Sequence, residues 1–253
     1  MMRALVLAAC LFAAPAGASE TIVAGLSQSR VSITANFDGS EILIYGAVKR
    51  DAPEPEDAPM QVIVTVEGPS VPLTIRRKEK TAGIWINRSA VNIGSAPSFY
   101  AVATSGPLDQ ILSSTENLRH KVSLDQVISD IGITAQAQNS DDFIAALRRI
   151  RVADGSYRLD ENSVTLKEQT LFRADVQLPA NLTEGAYRVR ILLTRNGAVV
   201  DSSDQHIFVH KDGVERYLFN MAKQQSFLYG LASLTMAVVA GWAASAGFRL
   251  LRR

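Results

Sequence analysis

Hydrophobic and polar positions change period several times along this chain, and each change predicts a different element. Residues 4–14 form an unbroken, mostly apolar run after Arg3. Ala16-Gly17-Ala18 follows with the small-x-small pattern of a cleavage site. The run is too short to cross a bilayer, so residues 1–18 read as a secretory signal peptide, with the mature chain starting at Ser19. Leu7-Ala8-Ala9-Cys10 has the order of a lipobox, but more apolar residues follow Cys10, so Cys10 reads as part of the discarded leader. Period-two alternation then begins. Val31, Ile33 and Ala35 alternate with Ser32, Thr34 and Asn36, and Asp38-Gly39 separates this run from 41–49, which predicts a hairpin. Residues 51–59 carry three prolines and four acids and predict an exposed loop. Alternation resumes over 61–67, 71–78, 83–87 and 99–104, where Ile84-Trp85-Ile86 reads as a core strand with one face buried.

Between about 107 and 153 the period lengthens to that of a helix. Leu108, Ile111, Leu112, Leu118, Val122, Val127, Ile128 and Ile131 recur at helical spacing, with Pro107 suited to a first turn. Ser140 reads as the N-cap of a helix whose acids Asp141 and Asp142 sit at its start and whose arginines 148, 149 and 151 sit at its end. Its apolar face is Phe143, Ile144, Leu147 and Ile150. Strands return at 171–178, 185–195 and 198–210, the last two joined by the hairpin signal Asn196-Gly197. The run from Leu182 to Val189 resembles the tyrosine corner of immunoglobulin-like sandwiches, in which a Tyr at the start of a late strand bonds back to the preceding loop. Val189 stands where antibody domains carry a Cys, so no inter-sheet disulfide forms there. These signals predict a mainly β, Ig-like sandwich over 19–213 with a helical insertion at about 107–153. Two smaller β domains around a helical linker are the alternative.

The last pattern is the plainest. Phe227 to Phe248 is 22 residues without a charge. As a helix it is about 33 Å long, close to the ~30 Å hydrocarbon core of a bilayer. We read 227–248 as a single transmembrane helix, 214–226 as a stalk helix leading into it, and 249–253 as a cytoplasmic tail. The basic residues flanking the span tie: Arg249, Arg252 and Arg253 on one side, Lys211, Arg216 and Lys223 on the other. The leader therefore sets the orientation, with the body exported across the membrane and the short tail left in the cytoplasm.

Composition changes this picture at two points. The whole chain carries 26 Lys+Arg, 25 Asp+Glu and one Cys. Without Arg3 and the three terminal arginines, 22 basic residues face 25 acidic ones, so the body is mildly acidic. That is not the surface of a nucleic-acid binder. With Cys10 in the leader, the exported body has no thiol, and no Cys-based metal or iron–sulfur site is expected.

Candidate chemistry is sparse. His206 and His210 are four apart on a strand, where four residues span about 13 Å, so they cannot chelate one ion together. His120 stands alone and reads as solvent-facing. No nucleophile elbow, HExxH, P-loop or GxGxxG is present, so no catalytic residue, metal or cofactor is assigned and the chain reads as a non-enzyme. Arg76-Arg77-Lys78, in the run 76–80, is the densest basic patch, suited to lipid head groups or an acidic partner. Ala237, Gly241 and Ser245 recur every four residues in the span, a spacing that lets another helix approach closely. These six residues are the candidate partner contacts.

Several short stretches together resemble a family of alphaproteobacterial transmembrane proteins, Alph_Pro_TM. They are Arg76-Arg77-Lys78, Gly83 to Asn87, Pro97 to Val102, Leu171-Phe172-Arg173, Leu178-Pro179, Gly185-Ala186-Tyr187 and Gly241-Trp242. The resemblance covers nearly the full chain and carries no catalytic residue. It implies an inner-membrane protein with a periplasmic body, and an accessory role beside a sulfite-exporter-like permease. The expectation is an interaction module for such a partner, or one that self-associates through the span. A periplasmic ligand-binding or sensing domain is the alternative, and a membrane-bound hydrolase with a dispersed site the third.

Overall fold

A computed structural model of the chain describes residues 20–34, 37–51, 58–129, 140–211 and 221–251. The expected leader, Ala35, Ile131 and most of the expected loop at 51–59 and stalk at 214–226 lie outside the described residues. The described residues fall into two compact units, one within Met1–Val31 and Asp38–Val209, the other within Ser32–Phe37 and His210–Arg253.

The structure is mainly β, with one apolar C-terminal helix. Twelve strands are described: β1 (Glu20–Leu26), β2 (Arg30–Ile33), β3 (Ser40–Arg50), β4 (Gln61–Glu67), β5 (Ser70–Thr81), β6 (Ile84–Pro97), β7 (Tyr100–Thr104), β8 (Tyr157–Asp160), β9 (Val164–Lys167), β10 (Leu171–Leu178), β11 (Gly185–Arg195) and β12 (Ala198–Lys211). Four helices fill the stretch between β7 and β8: α1 (Leu108–Ile111), α2 (Ser114–His120), α3 (Leu124–Ser129) and α4 (Ser140–Ala153). The C-terminal helix is α5 (Ser226–Leu251).

The strands form a four-stranded sheet in the order β1-β3-β10-β9, a six-stranded sheet in the order β2-β12-β11-β4-β7-β8, and a separate two-stranded ribbon, β5-β6. The first sheet packs on the second, β9 against β4 and β10 against β7. β10 shows why: Phe172, Ala174, Val176 and Leu178 are buried while the residues between them are exposed. β4 and β7 are buried along nearly their whole length because the second sheet is covered on both faces. Ile63, Tyr100, Val102 and Leu192 lie in a core with Leu108, Ile111, Val122, Ile128, Phe143 and Leu147 of the helical stretch.

Two local expectations hold. Asn196 and Gly197 both have positive φ and close the β11–β12 hairpin tightly. Tyr187 donates its hydroxyl to the Thr183 carbonyl at 3.0 Å, the back-bond of a tyrosine corner.

Other expectations are overturned. β2 and β3 are not a hairpin. β3 pairs with β1 and β10, whereas β2 joins the edge of the other sheet, where the Phe208 amide donates to the Ser29 carbonyl. Asp38-Gly39 therefore turns the chain between sheets. Residues 71–78 and 83–87 are not two more strands of the body but the two arms of the ribbon, joined through Ala82 and Gly83, both at positive φ. Leu118 is exposed rather than part of the helical core, because the short α2 turns that side to solvent. β1, β8 and β9 have no counterpart among the expected strands.

Candidate functional site

Three regions carry the residues with chemistry to offer: the C-terminal helix, the ribbon tip and a basic cleft.

In α5 the 20 residues Ser226–Ser245 contain 18 in a row with a mean hydropathy of 1.6, and none of this stretch is buried within the protein. A soluble protein hides such a helix in its core; here its surface is left for an apolar solvent. Within it Ser233 and Thr235 turn their hydroxyls back to the carbonyls of Tyr229 and Leu231, at 2.9 and 2.8 Å, leaving no side-chain hydroxyl in need of water at those positions. Ala237 and Gly241 are exposed, Ser245 lies one turn further on, and a Cβ built on Gly241 would have open space around it.

The ribbon begins inside the protein and ends outside it. At its base Val91, Ile93 and Ala96 are buried, and Leu73 and Ile75 pack against the helix-covered core. Beyond Arg76 nearly every described side chain is exposed. Ile84 is 65%, Trp85 66% and Ile86 38% exposed. This corrects the expectation of a core strand: alternation records that Ile84 and Ile86 share a face, not that the face is covered. Arg76, Arg77 and Lys78 are exposed on β5, and Arg77 lies 3.9 Å from Asp142 at the start of α4. The pairing Lys80–Trp85 and Lys78–Asn87 puts Trp85 on the ribbon face that carries Lys78 and Lys80. Ile84 and Ile86, paired with Thr81 and Glu79, lie on the opposite face.

The cleft, of about 390 Å³, opens on the helix-covered side of the second sheet. Arg119, His120, Lys121, Arg188 and Arg190 line it, with Glu67, Ser70 and Ser95. Arg188 and Arg190 project from one face of β11 because they are two apart on a strand. Lys121 ends α2 in the left-handed conformation, φ 51°, which turns the carbonyls of His120 and Lys121 toward the sheet. Arg190 holds them, donating to His120 O at 2.7 Å and Lys121 O at 3.5 Å, and to Thr65 Oγ1 at 3.3 Å. Beneath, the buried Tyr100 hydroxyl donates to Val122 O at 2.8 Å. Burial raises the Tyr100 phenol well above its ordinary value, against the lowering pull of Arg190. Glu116 takes Arg119 at 2.5 Å and His120 at 3.3 Å, and Asp204 takes Arg188 at 3.0 Å. His120 is thus half-buried and beside a carboxylate, not solvent-facing as expected from its isolation in sequence. The lining holds four permanent cations and the carboxylate of Glu67, and two of the cations, Arg119 and Arg188, are shared with Glu116 and Asp204 just outside it, which leaves a mildly positive cleft that suits an anion.

The structure brings Arg76, Arg77 and Lys78 together on one strand, and places Ala237, Gly241 and Ser245 along α5 in the other unit. Sequence reasoning missed the cleft, whose traces were the run Arg119-His120-Lys121 and the Arg-Val-Arg alternation at 188–190. His206 and His210 lie on β12 as expected. Among the described residues no three His, Cys, Asp or Glu side chains gather into a ligand set.

The family model described as "Putative transmembrane protein (Alph_Pro_TM)" matches residues 21–250. No curated protein and no solved structure matches the chain.

Proposed function

This chain belongs to the Alph_Pro_TM family, and from that premise we propose that it is a non-enzymatic, single-pass protein of the bacterial inner membrane. Its β body, an Ig-like sandwich, is held in the periplasm as an accessory to a membrane partner such as a sulfite-exporter-like permease. The observation that carries the reading is the 20-residue apolar helix Ser226–Ser245, exposed along its whole length. The tyrosine corner at Tyr187 supports the Ig-like reading. The leader pattern at 1–18 supports export of the body. The open face around Gly241 supports close approach of another helix, because a backbone without a side chain there permits dense packing.

Protease added to spheroplasts should digest the body and spare the span; a protected body would overturn the orientation. Affinity purification in mild detergent should bring down a polytopic partner, and Gly241→Ile should weaken that association several-fold. Recovery of the chain alone would refute the accessory role.

The cleft favours a second reading, in which the body binds a small anion. Four cations from α2, its C-cap and β11 converge there. Sulfate, phosphate and small carboxylates should each be tried for a shift in thermal midpoint. A shift abolished by Arg188→Ala would favour this reading, and no shift with any of them would dismiss it.

A further inference from the structure

We propose that the outer half of the β5–β6 ribbon is a membrane-contact finger. Ile84, Trp85 and Ile86 enter the interface of an anionic bilayer, and Arg76, Lys78 and Lys80 sit on its head groups. The proposal rests on α5 being a span, but not on which side of the membrane the body occupies or on any permease.

The ribbon is a poor structure to leave in water. Among the described residues no third strand lies beside it, though its base continues the β4–β7 pair through Gly68–Phe99 and Pro69–Ser98, and two strands alone gain little from their own cross-strand contacts. Its buried residues, Val91, Ile93 and Ala96 among them, are confined to the base, where the partly buried Leu73 and Ile75 pack beside them. Three large apolar side chains then cluster next to the turn, at the point most distant from that core. The two-residue turn at Ala82-Gly83 makes the tip narrow, and a Cβ on Gly83 would meet nothing within 4 Å.

The arrangement of charge and apolar surface identifies the occupant. Trp85 lies on one face and Ile84 and Ile86 on the other, so the tip is apolar on both sides. A protein partner with a flat surface would cover one face and leave the other wet. A bilayer surrounds a narrow tip on all sides. On the face that carries Trp85, Lys80 is the ring's direct cross-strand partner and reaches back along it toward the head groups, while Lys78 and then Arg76 follow toward the base. This places an aromatic ring at the depth of the interface and long basic side chains at the depth of the phosphates. The same chain carries the apolar helix, so meeting the bilayer is an intramolecular event with a high effective concentration.

The test uses the full chain reconstituted in vesicles. The chain has two tryptophans, so Trp242→Phe leaves Trp85 as the sole tryptophan, excited selectively over the six tyrosines at the red edge of their absorption. In vesicles of phosphatidylcholine with about one-third phosphatidylglycerol, Trp85 emission should shift to the blue and be quenched by brominated lipid. The triple change Arg76→Ser, Lys78→Ser, Lys80→Ser should cut that quenching several-fold, as should replacing the anionic lipid by phosphatidylcholine. These side chains are exposed, so the thermal midpoint should not move. Trp85 open to acrylamide and unquenched by bromolipid in anionic vesicles would overturn the proposal. A blue shift without bromolipid quenching would also overturn it, since a second copy or an acidic protein would then be the cover. The converse variant, Trp85→Phe, reports on Trp242. Failure of bromolipid to quench Trp242 would count against the span, and is read separately from the ribbon.

Discussion

Glu20 sits between two guanidinium groups. Its Oε1 accepts from Arg50 Nε at 2.9 Å and from an Arg195 terminal nitrogen at 2.6 Å, with the side chains 8, 14 and 12% exposed. The three residues come from β1, β3 and β11, so this small cluster ties the edge strand of one sheet to the centre of the other. Arg50 also donates to the Gln169 carbonyl, and Arg195 to that of Ala58. Removing the carboxylate charge leaves two part-buried guanidinium groups side by side without their shared counter-charge, which costs more than the pair contributed over an apolar replacement. Glu20→Gln should therefore destabilise the protein by about 3 kcal/mol, read as a lowered urea midpoint in detergent. The buried tyrosines give a second residue-scale prediction. Tyr157 donates to the Pro97 carbonyl at 2.8 Å, and burial pushes its phenol up to about 12. Burial raises Tyr100 and Tyr187 as well. In the unfolded chain these groups lose their protons near pH 10 while the folded protein keeps them. The folded state then binds more protons, so stability is intact below about pH 10 and falls as pH rises toward 12. Urea unfolding across that window should show this decline, and Tyr157→Phe should make it shallower while costing about 1 kcal/mol at neutral pH.

The helical stretch hangs on the sheet through its ends. Ser113 caps the start of α2, accepting from the Glu116 amide at 3.4 Å, and its own amide donates to Gly197 O in the β11–β12 turn at 2.8 Å. The other end of α2 is held by Arg190, whose charge suits the carbonyls exposed at a helix C-terminus. Arg190→Met should keep the packing of the stem and lose the charged bonds, at about 1.5–3 kcal/mol. Hydrogen exchange should then quicken over 108–129 and leave β4 and β11 protected; uniform quickening would mean the sheet itself depends on Arg190. Elements of this kind differ in how far the sequence revealed them. β10 was legible to the residue, since one of its faces is covered and alternation reports that directly; β11 was legible from the alternation of its first half and the turn that ends it, although Ile191 to Thr194 are buried on both faces. Asn196-Gly197 was legible because few residue pairs tolerate two positive φ values. Pairing partners were not, as alternation in β2 and β3 is the same whichever sheet receives them. Ala82-Gly83 is a weaker turn signal than Asn-Gly, so the ribbon read as separate strands. The exposed tip was illegible for the opposite reason: Ile84 and Ile86 alternate as buried residues do. The cleft was hidden because its arginines and lysine lie about seventy positions apart and are joined by the end of a short helix.

At the scale of the whole molecule, the chain combines a body with its own cores and a helix that contributes nothing to them. The cores draw on both sheets and the helical stretch, and every core residue from Ile22 to Val209 lies before α5. No residue of the span Ser226–Ser245 is buried within the protein, and none joins the buried core of the body. Its stability comes from the bilayer, where about 20 apolar residues suffice to hold a helix across the hydrocarbon. These two facts separate what truncation should do to location from what it should do to folding. A chain stopped after Lys211 should leave the membrane fraction on carbonate washing, whereas the full chain should require detergent. The thermal midpoint of the shortened body should stay within about 2 °C of the full chain's, since loss of a contact worth 1 kcal/mol would move a domain of this size by about 2–4 °C. A larger fall would mean that the C-terminal segment supports the body after all, and that the anchor and the fold are not independent.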